Sequence, residues 1–307
     1  MNVSEGEEAS SIMDMYRNNS EVPLSLADRW ILSRLSTVCS ELNNALDGYH
    51  FNDAASILYQ FIWHEICDWY VEMIKPVLYS DDEESKSIAV STLVHVFEVS
   101  LALLHPFMPF ITEEIWQQLP YKKTADSLCV RKYPDAGDGI EDRDSESKMT
   151  IVMDAITGLR NIRGELNIAP SLEFQALIKA GENVEAILKG NMSYISKLAR
   201  TGEIQIGSDI QPPKNAASAI KPGMEVFVPL EGLIDVDAEI ARLNKDFKKT
   251  EKDLLFIRKK LANEDFISKA PKAVIEENKA KYDGYKEKYD GIRENIDKLK
   301  AWGKSEK

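Results

Sequence analysis

The stretch NDAASILYQFIWHEICDWYVEMIKP, residues 52–76, decides the fold. Its Ile57, Leu58, Phe61, Ile62, Trp63, Ile66, Trp69, Tyr70, Met73 and Ile74 wrap nearly the whole circumference of a helix. A helix apolar all round is a buried one. The spacing therefore predicts a central bundle helix that Pro76 ends or kinks. Upstream, Ser25 followed three residues later by Asp28 predicts a helix start close to a capping box. Trp30, Ile31, Leu35, Val38, Leu42 and Leu46 then recur at helical spacing as far as Gly48, the expected stop.

Downstream, Asp81–Glu84 is an acidic break, and Ile88–Leu104 reads as a third helix. The string HPFMP (105–109) interrupts, and Thr112–Leu119 makes a short amphipathic helix. Residues 131–148 are charged and aperiodic, as in a loop, before another helix from about Lys148 to Glu165. These elements predict an antiparallel helical bundle over residues 23–169, preceded by a loose polar tail at 1–22. After Pro170 the pattern changes. Leu172–Lys179, Glu203–Gly207, Ala216–Ile220 and Met224–Pro229 read as strands, with a helix at 183–199 and a Lys221-Pro222-Gly223 turn. The expected fold class is mainly α, with a small α+β subdomain at 170–235.

Residues 236–302 carry the clearest period. Ile240, Leu243, Phe247, Thr250, Leu254, Ile257 and Leu261 step by three and four, as do Ile275, Asn278, Tyr282, Tyr285, Tyr289, Ile292, Ile296 and Leu299. Two heptad helices joined by a short Pro-containing loop predict an antiparallel coiled-coil hairpin with Leu261 opposite Ile275. Arms of about 26 residues would each span roughly 39 Å. On the first arm Glu239, Asp246, Glu251 and Asp253 flank the seam, while Arg242, Lys245, Lys248, Lys249, Lys252 and Lys259 face outward. The second arm reverses the order, so Asp253 is expected to meet Lys281 and Asp246 to meet Lys288. One outer face is then basic, as a surface that lies against a polyanion would be.

Composition sets the bounds. At roughly 150 residues per domain, 307 residues make about two domains. No apolar run is expected to reach the ~18–20 residues of a membrane span, and no basic-then-apolar leader opens the chain, so a soluble protein is expected. The net charge of −13 is unevenly shared. From Val236 onward 19 Lys+Arg face 15 Asp+Glu, a net of +4, and the other 235 residues carry −17. Cys39, Cys67 and Cys129 are far apart and each reads as a small core residue. His50, His64, His95 and His105 lack metal-ligand spacing, so no metal is expected. No nucleophile, general-base pair or phosphate loop emerges; Gly137-Asp138-Gly139 lacks strand-to-helix context, and His64 beside Glu65 reads as packing.

Several strings resemble a known family. LADRWILSRL (26–35), YHFNDAASILYQFIWHEICDWYVEMIKP (49–76) and LLHPFMPFITEEIWQQL (103–119) are similar to the anticodon-binding helical domain of valyl-tRNA synthetases. LRNIR (159–163) with NIAP (167–170), VPLEGLIDVDAEIARLNK (228–245) and NEDFISKAPKAV (263–274) point the same way. The H-I-G-H-like and K-M-S-K-S-like signatures of the catalytic domain are not in this sequence. The resemblance covers about residues 22–300. It implies tRNA recognition by a non-catalytic C-terminal portion: the bundle reads the anticodon end, and the coiled coil supports the elbow. This segment by itself is expected to be inactive and without cofactor, with ATP and Mg serving the full-length enzyme. The partners implied are tRNA(Val) and the catalytic domain of the same enzyme, with no membrane, a monomer, and a cytoplasmic (or, in a eukaryote, organellar) location.

Unpaired bases are read by stacking and edge hydrogen bonds. The bundle candidates are Arg29 or Arg34 for phosphate or base, Phe51 for stacking or packing, and Arg160 and Arg163 for phosphate or for the bundle's acidic excess. Trp30, Trp63 and Trp69 read as core. On the arm the candidates are Arg242, Lys245, Lys248, Lys249, Lys252 and Lys259. The alternative is a protein-interaction scaffold that uses the hairpin as an assembly surface.

Overall fold

The computed structural model describes residues 22–119, 123, 125–135, 141–231, 233, 236–263 and 271–303. The tail expected at 1–22 (all but Val22), the Gly137-Asp138-Gly139 loop, the hairpin tip at 264–270, and the side chains of Glu239 and Leu299 lie outside the described residues.

Helix α1 (Leu26–Asp47) starts where its local chemistry says it should. Ser25 Oγ accepts from the Asp28 N–H at 3.2 Å, and Asp28 accepts from the Ser25 N–H at 3.1 Å, a complete capping box. Asp28 also accepts from the buried Tyr70 hydroxyl at 2.7 Å. At the other end Gly48 has φ −81°, and Tyr49 takes the left-handed conformation at φ 59°. A Cβ on Gly48 would stand 2.5 Å from the exposed His50 ring, which would have to swing aside.

The stretch that decides the fold is helical throughout but not uniformly α. It runs as α2 (Phe51–Tyr59), a π-helix (Gln60–Tyr70) and α3 (Val71–Leu78). Pro76 sits inside α3, which ends two residues later. The expectation of a helix buried all round is corrected: Phe61, Ile66 and Tyr70 are buried, but Trp63 is 55% exposed and Tyr59 57%.

The helix α4 (Glu83–Leu104) is extensively buried, and Asp82 caps it through the Ser85 N–H at 3.1 Å. Its Ile88, Val96 and Leu103 are buried, as are the small polar Ser91, Thr92 and Ser100. By length and composition α4 could cross a membrane, contrary to the sequence reading, yet 61% of that window is buried within the fold. Two further helices follow, α5 (Pro109–Gln118) and α6 (Arg143–Glu165).

By contact the chain forms two units. One comprises the bundle to Ile156 together with Glu182–Ala199; the other comprises Thr157–Gly181 and the chain from Arg200 onward. In the first, the expected single helix at 183–199 is two, α7 (Glu182–Gly190) and α8 (Met192–Ala199), divided at Asn191. In the second, β1 (Phe174–Ala180), β2 (Thr201–Gly207), β3 (Ala216–Lys221) and β4 (Met224–Pro229) form one sheet in the order β2-β1-β4-β3. β1 and β2 are parallel, an arrangement that needs the intervening 182–199 crossover. β3 and β4 pair antiparallel about Pro222-Gly223, where Gly223 at φ 75° supplies the turn.

The second unit also holds α9 (Val236–Leu261) and α10 (Lys272–Gly303), which pack together. Leu243, Thr250, Ile257, Asn278 and Ile296 are buried along the heptad seam. Phe247 and Tyr289 stack with ring centroids 4.5 Å apart, the pairing that Leu261 opposite Ile275 requires. Buried Asn278 donates to the Val274 carbonyl of its own helix at 2.6 Å.

Candidate nucleic-acid interface

On α1 the two arginines have different occupations. Arg34 forks onto Glu65 of the π-helix, Nε and Nη2 donating at 2.8 and 2.9 Å. Its third nitrogen lies 3.8 Å from Glu146 of α6, which also accepts from Ser33. The hydrogen bond to Glu65 holds the Arg34 guanidinium above its ordinary value. A cation fixed in this way ties three helices together. Arg29 is looser: it lies 3.9 Å from Asp142, its side chain is 38% exposed, and its buried Nε has no hydrogen-bond partner among the described residues.

Around the α2 start the chain offers rings rather than charge. Phe51 is 56% exposed and meets exposed Tyr49 edge-on at 6.3 Å. Two turns on, Tyr59 and Trp63 lie parallel within 7°, centroids 6.4 Å apart, and Tyr59 meets the His64 ring edge-on at 5.7 Å. His64 is exposed and its Nδ1 lies 2.9 Å from Asp68, so the packed-neighbour reading of His64 with Glu65 is corrected. Sequence reasoning missed Tyr59 and Trp63 because a 3.6-residue period assigns apolar positions to the core. Buried Phe61, Ile66 and Tyr70 step by five and four instead, as a π-helix with i→i+5 bonding demands. That slower rotation carries Trp63 to the outside, beside Tyr59, the exposed last residue of α2.

In the second unit Arg163 serves the main chain. It donates to the carbonyls of Ala169 and Leu172 at 2.8 and 2.9 Å and of Arg200 at 3.0 Å, and its guanidinium lies 4.6 Å over the Phe174 ring. Partial burial, then the Arg200 charge, push it below its ordinary value. Arg163 was expected to meet phosphate or the bundle's acidic excess; the carbonyls it bonds lie at the mouth of β1. Arg160, three residues earlier, is exposed.

The outer stripe of α9 is laid out as read. Arg242, Lys245, Lys248, Lys249, Lys252 and Lys259 are exposed. Phe256, 67% exposed, was not among the expected contacts, yet Lys249, Lys252, Phe256 and Lys259 step by three, four and three along one face. An exposed phenyl ring amid lysines was legible as a non-heptad aromatic in LLFIRKK (254–260). The cross-seam charge pairs are corrected: Asp246 bonds Arg242 at 3.0 Å, and Lys281 bonds Glu277 at 2.6 Å, each on its own helix. Four residues is the natural reach of a helix ion pair.

Among the described residues no group of three His, Cys, Asp or Glu side chains is placed to hold a metal ion. The geometry offers π-faces on the bundle and a basic stripe with one ring on the arm, the two elements by which single strands and backbones are held.

Comparison with known proteins bears on both. Residues 28–178 match the anticodon-binding domain of tRNA ligase, and residues 235–300 match the valyl tRNA synthetase tRNA binding arm. Valine–tRNA ligase of Syntrophotalea carbinolica is 45% identical over 260 residues, 84% of this chain and 29% of that protein. The ligase of Geobacter sulfurreducens is 43% identical over 259 residues, with the same coverage. That of Bacillus subtilis is 40% identical over 262 residues, 85% of this chain and 30% of the relative. The chain thus spans a little under a third of the length of these curated relatives, at their C-terminal end.

Proposed function

We propose that this chain, which belongs to the valyl-tRNA synthetase family by its anticodon-binding domain and its tRNA-binding arm, recognises tRNA(Val) at two places. The bundle reads unpaired anticodon bases by stacking on Phe51, Tyr49, Tyr59 and Trp63, and the partly exposed Arg29 on α1 contacts phosphate or base. The arm grips backbone phosphate through Lys245, Lys248, Lys249, Lys252 and Lys259, with Arg242, and stacks Phe256 on an exposed base. Arg160 adds a surface cation. Arg34 and Arg163 act by positioning, since their donors are engaged internally.

The observation that carries this reading is the α9 stripe, a lysine face interrupted by an exposed phenyl ring in a chain whose remainder is strongly acidic. In a complete ligase of this family, aminoacylation with ATP and magnesium would take place outside the matched segment. Met108, Ile111 and Ile115, an exposed apolar row on and beside α5 spaced by three and four, fit a surface for that remainder of the enzyme.

The test is binding to a tRNA(Val) transcript and to the same transcript with its anticodon replaced, across a salt series. Tighter binding to the cognate, with steep salt dependence for both, is expected. No binding to either at low salt would refute the reading in favour of an interaction scaffold.

A further inference from the structure

The turn around Cys129 is fastened on both sides. Leu128 is buried with Leu101, Ala102 and Trp116, and its N–H donates to the Glu113 carboxylate at 2.9 Å. The Ser127 hydroxyl donates to the same oxygen at 3.0 Å and accepts from the Cys129 N–H at 3.1 Å. On the other side Arg131 forks onto Glu98 at 2.6 and 2.8 Å. Cys129 itself is exposed, so its thiol is presented to solvent from a fixed backbone.

His105 stands against it. The ring Nε2 lies 3.3 Å from Cys129 Sγ, and Nδ1 lies 2.8 Å from Thr112 Oγ1. The Thr112 hydroxyl has one proton, which the Met108 carbonyl takes at 2.8 Å. Its oxygen therefore accepts from Nδ1–H, which leaves the Nε2 lone pair facing the thiol. Glu113 is the charged group that faces the ring. Its slight burial opposes ionisation, but bonds from Gln117, Leu128 and Ser127, with the His105 charge, hold its carboxyl below the ordinary range.

We propose that Cys129 is a modification site, a nucleophilic thiol that His105 deprotonates for exchange with a low-molecular-weight disulfide. His105 Nε2 takes the thiol proton, Cys129 Sγ attacks one sulfur, the reagent's S–S bond breaks, and the departing thiolate is protonated. Cys129 Sγ rises to the disulfide level in the mixed disulfide as one sulfur of the reagent falls to the thiol level, and the reagent's other sulfur stays at the disulfide level. Thr112 orients the base, completing the nucleophile, base and orienting group by which cysteines are activated. Cys67 provides the contrast: it is also exposed, but burial of its sulfur, then the Asp68 charge, push its thiol up.

The experiment treats the whole chain with oxidised glutathione and follows each cysteine by peptide mass spectrometry. Near neutral pH, Cys129 is expected to react at least about threefold faster than Cys67. Between about pH 7 and pH 6 its rate should fall less steeply than the nearly tenfold of an ordinary thiol. His105→Gln should bring Cys129 down to the Cys67 rate while Cys67 itself is unaffected. Thr112→Val, which keeps the imidazole but removes its acceptor, should give an intermediate rate. If buried Cys39 begins to react in His105→Gln, that variant has opened, and Thr112→Val with the pH profile of the unaltered chain decides. Equal rates at Cys129 and Cys67 in the unaltered chain, or a Cys129 rate that neither variant changes, overturns the assignment.

Discussion

Replacing Arg34 with Ala would leave Glu65 without the fork that occupies both its oxygens. The two side chains are 23% and 22% exposed, so solvent softens the cost without removing it. Arg34→Ala is expected to lose about 1–3 kcal/mol, read as a lower urea midpoint at unchanged slope. Trp63 behaves oppositely. Trp63→Ala should cost about 1 kcal/mol of stability or less, not the roughly 3–5 kcal/mol of a core tryptophan, while weakening tRNA binding by about 1–3 kcal/mol. Parallel melts and titrations separate these outcomes. Asp82 carries a pH prediction. Hydrogen bonds from Ser85, side chain first and then main chain, hold its carboxyl below the ordinary 3.8. The capping contribution is therefore present above that value and lost as pH falls through the depressed one. Asp82→Ala should destabilise α4 near neutrality and do so progressively less as pH falls below the ordinary carboxylate range, in urea melts across that range. Caps of this kind are legible in sequence because donor and acceptor are three residues apart, as with Ser25 and Asp28. The fate of Arg34 was not, since Glu65 is 31 residues away and nothing local announces it.

At the scale of elements, the π-helix and the arm teach different lessons. The run at 52–76 was recognisable as helix, but its burial pattern depended on a change of pitch that tertiary packing selects. The arm's heptads, by contrast, encode their own partner, and the Phe247–Tyr289 stack follows from the period. The charges beside the seam did not follow, because Asp246 and Lys281 find partners four residues away on their own helices. Lys281→Glu should consequently leave the hairpin's melting almost unchanged, as loss of an exposed intrahelical pair would. On the opposite face, reversing Lys248, Lys249 and Lys252 to Glu should weaken tRNA binding and flatten its salt dependence, since each lost phosphate contact removes released counterions. Phe256→Ala should lower affinity by about 1–3 kcal/mol while leaving the salt slope intact.

For the whole molecule, the partition of charge and aromatic surface makes the two proposed kinds of recognition separable. Replacing the anticodon should change affinity without changing the salt slope, and reversing the arm lysines should change the slope without changing the preference for the cognate anticodon. Combining the two should be additive within about 0.5 kcal/mol, as for sites that share no partner. The sequence by itself determined the order of helices and strands, the heptad register, the capping of α1 and the basic outer stripe of α9, because each rests on spacing within a few turns of one chain segment. Tertiary structure alone decided that Trp63 and Tyr59 face outward, that Arg34 and Arg163 are bound internally, that 182–199 joins the bundle unit, and that Cys129 meets His105. Those outcomes depend on contacts between residues remote in sequence or on a helix pitch chosen by packing, and no local period records either.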